Sequence, residues 1–404
     1  GAALGDRFGR RRLFALGILL FTLASAAAAL ATTANQLDIA RAVQGIGGAI
    51  VAPLTLTILS AAVPPARRGL ALGIWGGIGG LAIAIGPLVG GAVVSGFSWN
   101  WIFWLNVPIG LVLAPLAYAR LEETHGSDSA LDLPGLGLAS SGLLGIVWAL
   151  VRGNAHGWTS TGILVPLVAG FALLAAFVWW EARTPAPMLP LGFFRDRTFT
   201  LANVASLLMF FGMFGSVFFL AQFFQTVQGY TPLQSGVRIL PWTAMPIFIT
   251  PIAGALSDRI GGQRLMAVGL ALQAAGLAWI AAVTTPTMPY SHIVGGFILS
   301  GIGMSLFFAP VANVVLSSVR PDQEGKASGA NNAIRELGGV FGVAVLATIF
   351  SRVGGYQSGV AFVHGVTTAV YVGAGLVALG AVAAAFIPSR PRREGAAAAE
   401  LQPA

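Results

Sequence analysis

The stretch GAALGDRFGRRR at residues 1–12 decides the fold, because a related stretch returns far along the chain. The second copy, GALSDRIGGQR, occupies residues 254–264. Each copy places an aspartate–arginine pair at the end of one apolar segment and just before another. The first copy has no initiator methionine and resembles an internal loop, so we expect the sequence to be a fragment or a truncated product.

The composition identifies the solvent of this chain as a lipid bilayer. Of its 404 residues, 56% are hydrophobic and only 9% are charged, whereas a soluble domain is about a quarter charged. There is no cysteine, which excludes disulfides, thiol catalysis and metal sites built on cysteine. The net charge of +8 comes from 21 arginines and one lysine that lie in short clusters between apolar runs, so it does not indicate nucleic-acid binding.

Twelve apolar runs are long enough to cross a membrane as helices, which takes about 20 residues each. They lie at 13–33, 38–62, 69–95, 99–118, 131–151, 160–181, 198–226, 236–256, 265–283, 291–315, 329–350 and 365–387. If residues 1–12 are inside, seventeen basic residues fall in inside loops and the tail, two in outside loops and three within spans, which accounts for all 22. This positive-inside bias supports both the number of spans and the orientation.

The two motif copies lie eight predicted spans apart, both on the inside. Two six-helix halves, a recurring plan of secondary transporters, would place them six spans apart, so we assign 131–151 and 160–181 to an inserted pair. Each motif then follows the second helix of its half, which predicts two helices upstream of Gly1 and fourteen in the parent. The predicted organisation is an N-terminal half lacking its first two helices (1–118), a cytoplasmic linker (119–130), the inserted helix pair (131–181), a cytoplasmic loop (182–197), a C-terminal half (198–390) and a disordered cytoplasmic tail (391–404).

Four further patterns, together with the repeat, carry a resemblance to a family. A loop pattern G-x-L-x-D-R-x-G-R-R is matched at Leu4, Asp6, Arg7, Gly9, Arg10 and Arg11, with Ala2 where glycine is usual. Its second copy keeps Gly254, Leu256, Asp258, Arg259 and Gly261, but Gly262 and Gln263 replace the two later arginines. The pattern R-x-x-Q-G-x-G is matched at Arg41, Gln44, Gly45 and Gly47, and G-P-x-x-G-G at Gly86, Pro87, Gly90 and Gly91. Trp75 and Ala82 stand where glycines are usual upstream of the last pattern, and the stretches 99–110 and 325–339 are also typical.

Over essentially its whole length the chain therefore resembles the fourteen-helix drug:proton antiporters of the major facilitator superfamily, the EmrB/QacA-type branch. The resemblance implies an all-α integral membrane protein of the major facilitator fold. It would have two six-helix halves plus two inserted helices, with twelve transmembrane helices here and fourteen in the parent. It also implies alternating access, in which one half rocks against the other.

The loop motif suggests a conformational latch made by Asp6, Arg7, Gly9 and Arg10, with a weaker second copy at Asp258 and Arg259. A carboxylate can hold the positive end of a helix in the other half, here the span starting near 329. The alternative is a solvated turn, which explains the arginines but not Asp6.

Three charged residues are candidates for proton coupling. Arg41 lies one turn inside the outer end of its span and Asp38 three residues before it, and Glu336 lies two turns from the inner end of another span. An ionisable group within a span is a functional candidate by default. The alternatives are an Arg41 that snorkels to the interface, an Asp38 that suits the helix dipole, and a local ion pair between Glu336 and Arg335. The family's usual acid on its first helix is not in this sequence.

The glycine-rich span with Gly86, Pro87, Gly90 and Gly91 resembles the hinge and leak seal of exporters. Proline removes a backbone hydrogen bond and bends the helix there. The alternative is close packing by small residues.

Candidate residues of the substrate cavity come from three helices. They are Gln44, Phe211, Phe219, Gln222, Asn331 and Asn332. Phenylalanines in spans usually face lipid or core, and the two asparagines could instead cap the helix at 329.

The sequence predicts proton-driven efflux of small amphipathic or lipophilic compounds, drugs or antibiotics, across the cytoplasmic (inner) membrane. No cofactor or metal is expected, since the histidines form no metal set and no phosphate-binding G-x-x-x-x-G-K-[ST] loop occurs. The expected partners are a small-molecule substrate, protons, the bilayer and, in a Gram-negative cell, a periplasmic adaptor protein. Alternatives are an exporter of an endogenous lipid, siderophore or amino acid, or a non-transporting sensor or scaffold. An enzyme is not expected, because no nucleophile–base set is present.

Overall fold

A computed structural model describes residues 1–64, 68–126, 132–320 and 323–388 of the chain. Within these ranges the protein is helical and has no β-strand. Its helices are α1 (Ala2–Phe8), α2 (Arg10–Ala29), α3 (Ala34–Ala62), α4 (Arg68–Gly96), α5 (Trp101–Trp104), α6 (Asn106–Arg120), α7 (Leu133–His156), α8 (Thr161–Glu181), α9 (Arg197–Gln222), α10 (Pro232–Thr243), α11 (Met245–Ile260), α12 (Gly262–Val283), α13 (Tyr290–Leu316), α14 (Glu324–Val353) and α15 (Gly359–Ala385). The predicted tail at 391–404 and the linker residues 127–130 lie outside the described residues.

Eleven stretches of the described chain are long and apolar enough to cross a membrane, and each coincides with a predicted span. The remaining predicted span, 69–95, coincides with the 29-residue helix α4, of which 85–96 is the described apolar part. Two spans are each broken into two helices, α5–α6 at Leu105 and α10–α11 at Ala244. Pro246 explains the second break, because proline lacks the N–H that would continue the hydrogen bonding of α10. The prediction of an all-α membrane fold is confirmed.

The sequence repeat is also a structural repeat. Gly9 separates α1 from α2 with φ 100° and ψ 122°, and Gly261 separates α11 from α12 with φ 92° and ψ 133°. Glycine reaches this region because it has no Cβ. The same backbone turn thus follows the aspartate–arginine pair in both copies.

The second half contains the main buried core. Phenylalanines of α9, α13 and α15 are almost fully buried in it, among them Phe199, Phe297 and Phe362. Helices α12 and α13 cross at small residues, since a Cβ at Gly269 would lie 2.6 Å from Gly303 O and one at Gly276 2.8 Å from Gly296 O. Such glycines allow helix backbones to approach closely in lipid.

Candidate functional site

The first copy of the loop motif is held by charge pairs. The Asp6 carboxylate accepts a hydrogen bond from Arg10 Nε at 2.7 Å, four residues on. The segment after α6 covers it, as Gly126 N donates to the carbonyl oxygen of Asp6 at 3.1 Å. Arg7 is exposed and its guanidinium lies 5.5 Å from the ring centroid of Phe8. The described carboxylate contacts of Asp6 are therefore within its own motif, and the latch to α14 stays a prediction.

Glu123 completes this cluster. Its carboxylate accepts from the backbone N–H of Arg11 at 3.0 Å and lies 3.5 Å from both Arg11 Nε and Arg12 Nε. A lone glutamate in a loop gives no sequence signal, so its role could not be predicted from the sequence. It fastens the segment after α6 to the start of α2.

The second copy of the motif has fewer charges. Arg259 is exposed near the end of α11, and α12 begins with Gly262 and Gln263 where the first copy has Arg10 and Arg11. The side chain of Asp258 lies outside the described residues. The two copies therefore share one backbone turn but differ in the side chains that follow it.

A buried polar cluster joins α2, α3 and α6 in the first half. Arg41 Nη1 donates to Gln44 Oε1 at 2.6 Å, and Gln44 Nε2 donates to Ser25 Oγ at 2.8 Å. Asn106 Nδ2 reaches the same hydroxyl at 3.1 Å. Gln44 and Ser25 are 2% and 0% exposed. This chain of hydrogen bonds leads from an exposed guanidinium to a buried amide, and it places the two predicted residues Arg41 and Gln44 side by side.

Asp38 does not pair with Arg41, although it lies three residues earlier on the same helix. Its Oδ2 is 3.3 Å from Nη2 of Arg152 on α7, a pair that is largely exposed. Arg41 instead donates to Gln44, and its guanidinium lies 5.7 Å from the ring centroid of Phe103. The tertiary position of α7 therefore gives Asp38 a distant partner in place of its helical neighbour and links α3 to α7.

The glycine–proline pattern of α4 forms a contact between the two halves. A Cβ at Gly91 would lie 2.5 Å from Pro232 O, and a Cβ at Gly236 would overlap the carbonyl group of Pro87. The backbone N–H of Leu233 donates to Ser95 Oγ at 3.1 Å on the same surface. Around Gly86 and Gly90 no described atom lies within 4 Å of a Cβ position. Only part of the predicted hinge thus touches α10.

Helix α14 presents two different faces. Asn331 is buried, and its Nδ2 donates to Asn203 Oδ1 at 2.9 Å and to Ser206 Oγ at 3.2 Å on α9. Because α14 begins at Glu324, Asn331 is two turns inside the helix and is not a cap. Asn332 and Glu336 are exposed one turn apart on a different face. The structure therefore brings Asn332 and Glu336 together and separates them from Asn331.

The predicted aromatic residues of α9 have unequal environments. Phe219 is 1% exposed and stacks on Phe350 with 4.9 Å between ring centroids, so it belongs to the core. Phe211 is half-buried beside α14, and Gln222 accepts a hydrogen bond from the hydroxyl of Tyr356 at 2.7 Å. These residues of α9 do not form one cluster with Gln44, which lies on α3 and is hydrogen-bonded to Arg41 and Ser25. Groups of three or more potential metal ligands do not occur among the described residues.

The sequence matches a family of known proteins and several individual relatives. The family model described as Major Facilitator Superfamily matches residues 1–343. The multidrug resistance protein Stp of Mycobacterium tuberculosis (strain CDC 1551 / Oshkosh) is 34% identical over 352 residues, covering 87% of this chain and 65% of Stp. The tetracenomycin C resistance and export protein of Streptomyces glaucescens is 33% identical, covering 87% and 66%. The chain thus spans just under two-thirds of the length of these relatives.

Solved structures agree on the fold. A POT family transporter, crystallised with a thioalcohol-conjugated peptide, superposes with a TM-score of 0.68 at 14% identity and covers 94% of this chain and 82% of that one. At that identity the likeness concerns the fold alone.

Proposed function

The chain belongs to the Major Facilitator Superfamily, and from this membership we propose that it serves proton-driven efflux of small amphipathic or lipophilic compounds such as drugs and antibiotics. It is a multi-pass membrane protein of a transporter family. The proposed location is the cytoplasmic membrane, with the motif-bearing loops inside. The relatives named for multidrug resistance and for tetracenomycin C export support this direction of transport.

The observation that carries the proposal is the contact between α4 and α10. It joins the predicted N-terminal half (1–118) to the predicted C-terminal half (198–390) through the reciprocal pairs Gly91–Pro232 and Gly236–Pro87. Small residues leave backbone against backbone, a surface with no interlocking side chains at those points. Two rigid halves that meet along such a surface can rock about it, which alternating access requires. The antiporter pattern of α4 then acts as the pivot.

Proton coupling is assigned to Glu336, with Arg41 and its cluster as the second element. Glu336 is an exposed carboxyl group within a membrane-spanning helix, a position that marks proton relays. The Arg41–Gln44–Ser25–Asn106 hydrogen bonds can rearrange when a nearby charge appears. Asp38, paired with Arg152, contributes by holding α3 against α7.

The loop motif is assigned the role of a latch on the inside. Asp6 is tied to Arg10 and covered by Gly126, so it would release these local contacts or use its remaining lone pairs to hold the N-terminal end of α14. A latch of about 1–3 kcal/mol shifts a two-state population appreciably. The copy at Asp258 and Arg259, without the following arginine pair, would be the weaker one.

The experiment is transport by the full-length protein in proteoliposomes with an imposed pH gradient, using in turn a cationic lipophilic probe, ethidium, and an anionic one, 1-pyrenebutyric acid. We expect Glu336→Gln to lower gradient-driven transport by about tenfold or more, because the amide keeps the shape but exchanges no proton. The matched control is Glu324→Gln, an exposed acid in the first turn of the same helix, which should transport normally. Asp6→Asn should lower transport about fivefold, as losing about 1 kcal/mol would, and Asp258→Asn less.

A wild-type transport rate that is the same with and without the pH gradient would contradict proton coupling. An unchanged rate in Glu336→Gln would move the proton carrier elsewhere. A larger loss in Asp258→Asn than in Asp6→Asn would end the latch assignment.

A further inference from the structure

Arg335 on α14 lies against the aromatic side chains of two other helices. Its guanidinium carbon is 4.4 Å from the ring centroid of Phe210 on α9 and 5.4 Å from that of Phe308 on α13. It lies eleven residues after Glu324, about 16 Å along the helix at 1.5 Å per residue. Because it stacks on these rings, the guanidinium is held within the bundle and is not extended toward the lipid headgroups.

Arg335 forms no salt bridge in the part of the chain that the structure describes. No carboxylate there lies within 4 Å of it, and its Nε is buried without a hydrogen-bond acceptor. The adjacent Glu336 projects to the exposed face and attracts the guanidinium without forming a salt bridge with it. A guanidinium at membrane depth without a salt bridge is costly, and stacking on aromatic rings stabilises its charge less than a bound anion would.

The surroundings fix Arg335 in place. One turn before it, Asn331 is hydrogen-bonded to Asn203 and Ser206 of α9. One and two turns after it, Gly338 and Gly342 let the α9 backbone approach so closely that a Cβ would overlap the carbonyl oxygens of Leu207 and Phe211. An arginine presented from a rigid helix pair loses little entropy when an anion binds.

An apolar surface adjoins the charge. Phe214 stacks on Phe210 with 5.8 Å between centroids, is 45% exposed, and lies against Gly339 of α14. A ligand that satisfies both features carries a planar anionic group next to an aromatic or aliphatic body. A carboxylate can accept two parallel hydrogen bonds from a guanidinium, which the compact ammonium group of lysine does not offer.

We propose that Arg335 binds the anionic group of an amphipathic organic acid whose apolar part lies on Phe214, so that this transporter recognises lipophilic anions. The proposal rests on the proposed efflux function and adds a substrate class to it. The same chemistry could be supplied by the headgroup of an anionic lipid, and the experiment separates the two sources.

The test is a binding measurement with purified full-length protein in nanodiscs of zwitterionic lipid, using the fluorescence of 1-pyrenebutyric acid and of its methyl ester. These probes share the aromatic body and differ in charge, and empty nanodiscs correct for partition into lipid. Wild type should bind the acid more tightly than the ester. Arg335→Gln should weaken binding of the acid about tenfold, as expected for a lost charge-assisted contact, and should change binding of the ester less than about twofold. Arg335→Lys, which keeps the charge without the fork, should be intermediate.

Arg238 provides the matched control. It also stacks on aromatic rings, 3.6 Å from the centroid of Tyr230, and its Nε is likewise buried without an acceptor, but it lies midway along α10 and its Nη1 donates to Gln234 O. Arg238→Gln should leave the preference for the acid unchanged.

Three results would overturn the proposal. The first is equal binding of the acid and the ester by wild type. The second is equal weakening of the binding of both probes by Arg335→Gln, provided that Arg335→Lys has the thermal stability of wild type. The third is loss of the preference for the acid when phosphatidylglycerol is added, which would assign Arg335 to lipid binding. The proposed function fails separately, if wild type transports neither ethidium nor 1-pyrenebutyric acid when a pH gradient is imposed. Binding needs no transport, so the two failures are distinguishable.

Discussion

Gly9 adopts a backbone conformation that is rarely accessible to residues with a side chain, with φ 100° and ψ 122°. A Cβ there would also lie 2.7 Å from Glu123 Oε1, the carboxylate that binds Arg11 and Arg12. Gly261 has the same conformation, but its nearest side chain is the flexible amide of Gln263 at 3.1 Å. The two glycines therefore carry the same backbone constraint in different surroundings.

We expect Gly9→Ala to lower stability by about 1–3 kcal/mol from backbone strain, with a further loss because the Glu123 contact must move. Gly261→Ala should incur the strain alone and be the milder change. Thermal unfolding of the purified variants checks the order. Equal losses would mean that the Glu123 cluster contributes nothing to the turn.

At the scale of elements, α4 and α10 meet at points where the backbones themselves touch. Gly91 and Gly236 leave no room for a methyl group, whereas Gly86 and Gly90 lie next to open space in the described structure. Membrane helices associate through such close approach because lipid offers no hydrophobic drive between them. One glycine pattern on α4 therefore contains residues with two different roles.

Gly91→Ala and Gly236→Ala should separate α4 from α10 and lower stability by about 1–3 kcal/mol through overpacking. Gly86→Ala and Gly90→Ala are the controls and should remain near wild type. A disulfide between Ser95→Cys and Leu233→Cys reports the helix contact, since Ser95 Oγ lies 3.1 Å from Leu233 N. The predicted role of Gly91 is wrong if this cross-link forms equally well in the Gly91→Ala and wild-type backgrounds. It is also wrong if Gly90→Ala lowers stability as much as Gly91→Ala does.

For the whole molecule, the distribution of charge predicts how the helices lie in the membrane. Two arginines pair with Glu123 on the side predicted to be inside, while Arg152, predicted to be outside, is paired with Asp38. The positive-inside rule thus predicts one orientation for all the spans. These 404 residues contain no cysteine, which makes the orientation testable by single-cysteine labelling.

Thr159→Cys, between α7 and α8, should react with a membrane-impermeant maleimide added to intact cells. Ala182→Cys, just after α8, should react only after permeabilisation, since one span separates the two positions. Labelling of Ala182→Cys but not of Thr159→Cys in intact cells would mean that the orientation is opposite to the predicted one. Labelling of both positions from outside would remove α8 from the set of spans.

The sequence by itself determined the membrane class, the position of the spans, the repeat and the family, because each depends on local properties. A bilayer requires about 20 apolar residues in each helix. A turn with positive φ favours glycine, so Gly9 and Gly261 can be recognised in the repeated motif without knowledge of any tertiary contact. Glu123, by contrast, gave no signal, because its partners Arg11 and Arg12 lie far away in the chain.

The tertiary structure alone decided which polar residues meet. Asp38 pairs with Arg152, 114 residues away, and not with its helical neighbour Arg41. Likewise Asn331 and Arg335 pack on α9, and Glu336 does not, because residues one position apart on a helix point in different directions. Such partners depend on how helices pack against one another, and the apolar pattern that lipid imposes on every span carries little information about that choice.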